Sequence, residues 1–330
     1  MKSLSIGLVY DLRTEYLAMG FSAEESAEFD AEVTIDGIAG VLESLGHRVD
    51  RIGHARSLCA RLVAGHRWDL VFNIAEGYRW RAREAQVPSL LELYDIPYTC
   101  SDPLVCALTL DKAVTKRVIL SAGLRTPGFA LISHLADVDA VSLQFPVFAK
   151  PNAEGTGKGI DDKSRIETKA QLAAVCEQLL ERYRQPVLVE EYLPGREFTS
   201  AILGTGAKAR VLGSMEIELL KPDRELIYSY DTKERCEEFV RYAALREPAL
   251  RREVEDLALQ SYRVLECRDV GRVDIRLDAG GHPNFIEVNP LPGMNPVHSD
   301  LPMIATQEGM SFRELIEAIV ASAWERAEPK

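Results

Sequence analysis

Gly271-Arg272-Val273-Asp274-Ile275-Arg276-Leu277-Asp278, a Gly280-Gly281 turn, and then Phe285-Ile286-Glu287-Val288-Asn289-Pro290-Leu291-Pro292-Gly293-Met294 decide the fold of this chain. Both runs read as strands flanking the Gly-Gly turn. Strands are expected over residues 272–277 and 284–288. Alternate residues of a strand share a face, so Arg272 and Asp274 point one way, and Glu287 and Asn289 can point the same way. Two carboxylates and an amide oxygen are hard donors. They suit Mg2+ that also holds phosphates, with Mn2+ as a substitute. Arg272 beside them can stabilise negative charge forming at a carbonyl or phosphoryl group. The Pro/Gly-rich run 290–295 leaves the second strand as a substrate-facing wall.

Upstream, an apolar strand over residues 145–150 opens into Lys150-Pro151-Asn152-Ala153-Glu154-Gly155-Thr156-Gly157-Lys158-Gly159-Ile160. Three glycines in five positions let backbone N–H groups approach a polyphosphate, and Lys150 and Lys158 can neutralise it. Gly159 is followed by Ile160, so the Gly-Lys-Ser/Thr ending of a Walker loop is absent. Residues 187–191 and 197–203 read as strands around the turn Leu193-Pro194-Gly195. The cluster Glu190, Glu191, Tyr192, Leu193 and Glu197 reads in two ways. One is a surface acidic patch. The other is an edge segment that offers backbone groups to an adenine, with a carboxylate for ribose hydroxyls.

The first hundred residues alternate strands (4–9, 48–52, 69–75) with helices (one carrying Val33, Ile38, Val41, Leu42 and Leu45 on one face, another over 84–94). That alternation predicts a parallel sheet covered by helices. Residues 11–30 interrupt it as a polar, Glu-rich loop at the carboxyl ends of the strands, where ligands bind in such sheets. Further helices are expected at 111–122, 168–183 and 248–266, and the charged segment 221–241 reads as a lid that orders around nucleotide.

The chain has 330 residues and a net charge of −12. That length exceeds one core, and three units are expected: 1–100, 101–185 and 186–330. The class is α/β, α+β overall. The acidic balance argues against nucleic acid as a partner. No apolar run approaches a membrane span. The start lacks a signal-peptide pattern, so a cytoplasmic protein is expected. Six cysteines without Cys-x-x-Cys spacing read as reduced thiols, with Cys176 on an apolar helix face and Cys100 and Cys236 as the minority candidates for reactivity.

In combination and in this order, these motifs resemble the ATP-grasp superfamily, and more narrowly the D-alanine–D-alanine ligase family. The resemblance covers nearly the whole chain, including Pro97-Tyr98-Thr99 and Asp111-Lys112. It implies an ATP-grasp fold behind an N-terminal Rossmann-like domain. Lys112 and Lys150 would hold ATP phosphates, and Glu154, Gly155, Thr156, Gly157 and Lys158 would close over them. Glu190, Tyr192 and Leu193 would line the adenine pocket, and Glu197 would take the ribose. Lys233 would reach in from the charged segment. Asp274, Glu287 and Asn289 would ligate Mg2+. Arg272 and the Gly293 backbone N–H would stabilise an acyl-phosphate and its tetrahedral successor. The activity implied is ATP-dependent amide formation between amino-acid-like substrates, and family members are often homodimers.

The amino-acid half departs from the family pattern. Tyr10-Asp11-Leu12-Arg13 replaces a Gly-Gly-x-Ser turn, and either Asp30 or Glu32 stands nearest the family's amino-binding Glu. Glu76-Gly77 stands where a His-Gly pair is usual, followed by Arg83-Glu84-Ala85-Gln86. Thr156 replaces a Ser. Glu234 follows Lys233 where a Tyr is common. One extra residue leaves open whether His298 or Ser299 meets the substrate carboxylate. Glu76, Arg79, Arg81, Arg83 and Glu84 are candidate substrate contacts. Two other classes stand against the ligase reading. A non-catalytic nucleotide-binding protein on the same fold is disfavoured, because every phosphate and metal residue is in place. A dinucleotide oxidoreductase is disfavoured because the first turn carries no Gly-rich fingerprint.

Overall fold

The computed structural model describes residues 2–220 and 240–327. The expected lid, with Lys233 and Cys236, therefore lies almost entirely outside the described residues.

Strands β1 (Ser5–Val9), β2 (Arg48–Gly53) and β3 (Leu70–Asn73) form a parallel sheet in the order β2-β1-β3. Both faces of this sheet are buried, so its strands are nearly continuous apolar runs. Ile6, Leu8, Leu70 and Phe72 pack with Ile35, Ile38, Ala39 and Leu42 of helix Glu32–Ser44 and with Ile316 and Ile319 of helix Phe312–Ala327. Val9, Ile52 and Val71 pack on the other side with Leu58 and Leu62 of helix Ala55–Val63 and with Val87 and Leu91 of helix Gln86–Leu93. Val33, expected on the apolar face, is 49 % exposed. It lies off the stripe that runs through Ile35, Ile38, Ala39 and Leu42.

Residues 11–30 are not an irregular loop. They contain helix Arg13–Ala18, and a backbone bridge between Leu12 and Asp30 ties their ends together. The Tyr16 ring meets Phe21 edge-on and lies tilted against Phe29, and Phe21 meets Tyr78. These aromatics were hidden among the glutamates in the linear pattern.

The second sheet is antiparallel: β4 (Phe129–Ile132), β5 (Val147–Pro151), β6 (Arg165–Ile166) and β7 (Val187–Glu191), in the order β4-β7-β5-β6. Helix Lys169–Tyr183 covers it through Leu172, Cys176 and Leu179, and Thr168 caps that helix. Strand β7 is interior, which corrects its reading as an edge. The third sheet holds β8 (Glu197–Leu203), β9 (Arg210–Leu219), β10 (Val240–Ala244), β11 (Val270–Leu277) and β12 (Pro283–Asn289). Its order is β10-β9-β8-β11-β12. Helix Pro248–Val264 seals one face of it with Val254, Ala258 and Tyr262 against Val273, Ile275 and Phe285. On the opposite face Ala201, Leu203, Met215 and Val270 pack with Leu301, Ile304 and Ala305 of helix Asp300–Gln307, and the rest carries polar side chains such as Arg272 and Asp274. Among the described residues no helix is long and apolar enough to cross a membrane.

Candidate active site

The register of β11 and β12 sets the polar face. Arg272 lies directly across from Asn289, and Asp274 across from Glu287. The register steps after Asp274, so Ile286 has no cross-strand partner. A bulge of this kind re-aims side chains, and Ile286 and Glu287 both line the same cleft. Asp274 accepts from Arg272 at 3.1 and 3.2 Å, from Asn289 at 3.2 Å and from Thr199 at 2.7 Å. Glu287 pairs with Lys112 at 3.4 Å. Among the described residues no cluster of three or more His, Cys, Asp or Glu side chains has metal-binding geometry. The donor set is thus two carboxylates and one amide, which fits a hard cation that keeps other oxygen ligands from phosphate and water.

Lys112 begins helix Lys112–Ser121, capped by the Asp111 carboxylate, and donates to the Glu154 carbonyl at 2.6 Å. Four residues on, Lys116 sits on the same helix face and is fully buried. Lys116 and Lys150 grip the two oxygens of Glu190 at 2.6 and 3.0 Å. Burial opposes the charge on Glu190, but the two ammonium groups outweigh it and hold the carboxyl below its usual range. Burial lowers Lys116 to about 8, with Glu190 only partly offsetting it. For Lys150 burial works the same way, but Glu190 and Glu287 win and its value rises. Glu190 is therefore a buried ion-pair residue, which overturns the surface-patch alternative. Glu191 does face solvent, where it accepts from the Gly128 N–H at 3.0 Å.

The glycine-rich loop closes over this floor. Thr156, Gly157 and Gly159 have left-handed backbones, and a Cβ on Gly155 would fall 2.5 Å from Glu28. Glu28 was not singled out in the sequence. Its carboxylate accepts from the Gly155 N–H at 2.6 Å, from Lys158 at 3.0 Å and from Arg83 at 3.0 Å. Burial opposes its charge, yet Arg83 and Lys158 hold it well below the ordinary range. The carboxylate sits where the loop's donors converge, as an anion does in a backbone nest. Lys158 also meets Glu154 at 3.2 Å.

These residues bound one cleft. Tyr192 and Leu193 line its inner end, and Arg165 and Arg276 stack over the Tyr192 ring at 4.9 and 5.4 Å. Glu197 pairs with Arg276 at 3.2 Å. Arg272 also reaches Asp300 at 3.2 Å, another residue the sequence reading passed over. His298 is exposed, whereas Ser299 is half-buried and its hydroxyl accepts from the Asn295 N–H at 3.0 Å. A Cβ on Gly293 would fall 2.8 Å from that hydroxyl.

The N-terminal wall is different. Asp30 and Asp11 are close enough to repel. Burial and the Asp11 charge raise Asp30 to about 8 despite a bond from Thr34. Burial also raises Asp11, against bonds from Tyr16 at 2.5 Å and the Gly77 N–H at 2.8 Å. Glu32 is exposed and accepts from Thr14 at 2.8 Å. Arg83 is buried on Glu28 and the Ala153 carbonyl, and exposed Arg81 pairs with Asp111 at 2.5 Å. Glu76 and Glu84 line a smaller pocket that opens onto Glu287 and Asn289. Cys100 is buried, and burial and the Asp269 charge push its thiol to about 12, which does not suit a nucleophile.

Residues 123–321 match the family model described as D-ala D-ala ligase C-terminus. The chain is 37 % identical over 271 residues to a D-alanine–D-alanine ligase of Bordetella petrii, across 81 % of this chain and 79 % of the relative. It is 34 % identical over 302 residues to the corresponding ligase of Cupriavidus necator, across 89 % and 88 %. A D-alanine–D-alanine ligase from Bacillus anthracis, solved in complex with ATP, superposes with a TM-score of 0.75 at 22 % identity, across 98 % of this chain and 99 % of that one.

Proposed function

The chain belongs to the D-alanine–D-alanine ligase family of the ATP-grasp superfamily, as an ATP-dependent ligase, and we propose that it joins the carboxylate of one amino-acid-like substrate to the amine of another. In the first step a substrate carboxylate oxygen attacks the γ-phosphorus of ATP, and ADP leaves. In the second the amine attacks the acyl-phosphate carbon, and inorganic phosphate leaves with the amide formed. Such chemistry asks the protein for positioning and charge stabilisation.

Lys112 and Lys150 are assigned to the ATP phosphates, with the loop Glu154 to Lys158 closing over them. Tyr192 and Leu193 are assigned to the base, and Glu197 to the ribose. Asp274, Glu287 and Asn289 would hold Mg2+, which when bound offsets phosphate charge. Arg272, steered by Asp274 and Asp300, would meet the negative charge on the acyl-phosphate, with the Gly293 N–H opposite. Ser299, half-buried beside Gly293, suits the substrate carboxylate better than exposed His298 does.

The observation that supports this most is the register that sets Arg272 across from Asn289 and Asp274 across from Glu287, with Lys112 on Glu287. The product need not be D-alanyl-D-alanine, since Glu76 and Glu84 fill the wall where family recognition residues differ. The test is ATP–Mg2+-dependent phosphate release with pairs of amino acids. Glu287→Gln should abolish it without changing the fold. Unchanged turnover in that variant would refute the assignment.

A further inference from the structure

Glu84 is 8 % exposed, in a short helical turn after β3, and Glu76 lies in the loop just before it. Both carboxylates line one small pocket that continues to Lys112, Glu287, Asn289 and Leu291. Among the described residues neither carboxylate has a hydrogen bond or an ion pair.

The other charges around the pocket are already matched. Glu28 is held by Arg83 and Lys158, Glu154 by Lys158 and Gln185, and Glu287 by Lys112. Glu76 and Glu84 feel Arg83, and Glu84 also feels Lys112, but those cations are already paired with Glu28 and Glu287, so these two carboxylates are the remaining excess. Buried carboxylates without partners are costly as anions. Burial raises both groups; the Glu84 and Glu28 charges add to it at Glu76, and the Glu28 and Glu287 charges add to it at Glu84, which rises to about 7 against Arg83 and Lys112. A cation entering the pocket removes that cost. The α-ammonium of an amino-acid substrate answers one carboxylate, which leaves the other for a second positive group.

We infer that Glu76 and Glu84 select a substrate with a cationic side chain, a basic amino acid with an amine or guanidine group. The inference rests on the ligase reading only in taking the pocket as an amino-acid pocket.

Calorimetric titration of the full chain with both enantiomers of lysine, ornithine and arginine, against norleucine and citrulline as neutral isosteres, tests it. The expected result is at least tenfold tighter binding of one cationic amino acid than of its isostere, with that ratio collapsing in Glu84→Gln and Glu76→Gln. Equal binding of charged and neutral partners, no binding of either, or a ratio unchanged in both variants would overturn it. Phosphate release over the same panel separates the two claims. Turnover that ignores side-chain charge overturns the pocket assignment and leaves the ligase reading standing. Charge-selective binding without turnover of any pair supports the pocket and removes the ligase reading.

Discussion

The two walls of the central cleft handle charge in opposite ways. On the C-terminal wall every charged group has an ionic or hydrogen-bonded counterpart: Asp274 on Arg272, Glu287 on Lys112, Glu190 on Lys116 and Lys150. On the N-terminal wall burial raises Asp11, Asp30, Glu76 and Glu84, with the Asp11 charge adding to it at Asp30 and the Glu84 charge at Glu76. A matched wall can receive an anionic ligand and its counter-cation with little rearrangement, because its dipoles and charges are already fixed. On the proposed reading an unmatched acidic wall is completed by a cation, and the contrast divides the labour between nucleotide chemistry and substrate choice.

The contrast breaks most visibly at Glu287. Glu287→Gln should lower phosphate release on the order of 10³-fold or more, as losing a preorganised electrostatic group at a reacting centre does; a steady-state assay reads it. Next in size is Glu190→Gln, which strands two buried ammonium groups. Removing one partner from a buried pair costs about 3–5 kcal/mol, so the urea midpoint should fall sharply, and an unchanged midpoint would refute the triad. Gly155→Ala is smaller. Its Cβ would press on Glu28 at 2.5 Å, an overpacking cost of about 1–3 kcal/mol, and KM for ATP should rise more than kcat falls.

A pH effect sharpens the acidic wall. Burial and the Asp11 charge hold Asp30 at about 8 when folded against 3.8 as a free side chain. Between those values the folded chain holds a proton that the unfolded chain releases, so stability falls as pH rises across that window. Asp30→Asn removes this dependence. Its melting temperature should exceed the parent's at pH 8 and match it below pH 4.

How far the sequence reveals this division depends on the range of the contacts. The face of β11 and β12 was legible because alternation is local, and Arg272, Asp274, Glu287 and Asn289 fell as expected. The glycine-rich loop was legible for the same reason. The bulge at Ile286 was not, since register belongs to two strands. Glu28 was one glutamate among several in a polar stretch, and its partners Gly155 and Lys158 lie 127 and 130 residues away. Lys116 carried a usable signal, four residues after Lys112 on one helix face, but its burial against Glu190 is tertiary. Helices Ala55–Val63 and Pro103–Leu110 and strand β9 went unread, being short or amphipathic segments fixed by packing. Asp30, Glu76 and Glu84 were legible as candidates, while Asp11 beside them and the burial that raises all four were visible only in three dimensions.

The central claim is that the chain uses ATP to join an acid to an amine. Phosphate release from ATP–Mg2+ across a matrix of D- and L-amino acids, with mass spectrometry of each active well, tests it most directly. The account predicts phosphate release that requires an amino-acid pair, with an amide product whose mass is the sum of the two less water. Nucleotide binding without any amide in any well would contradict it.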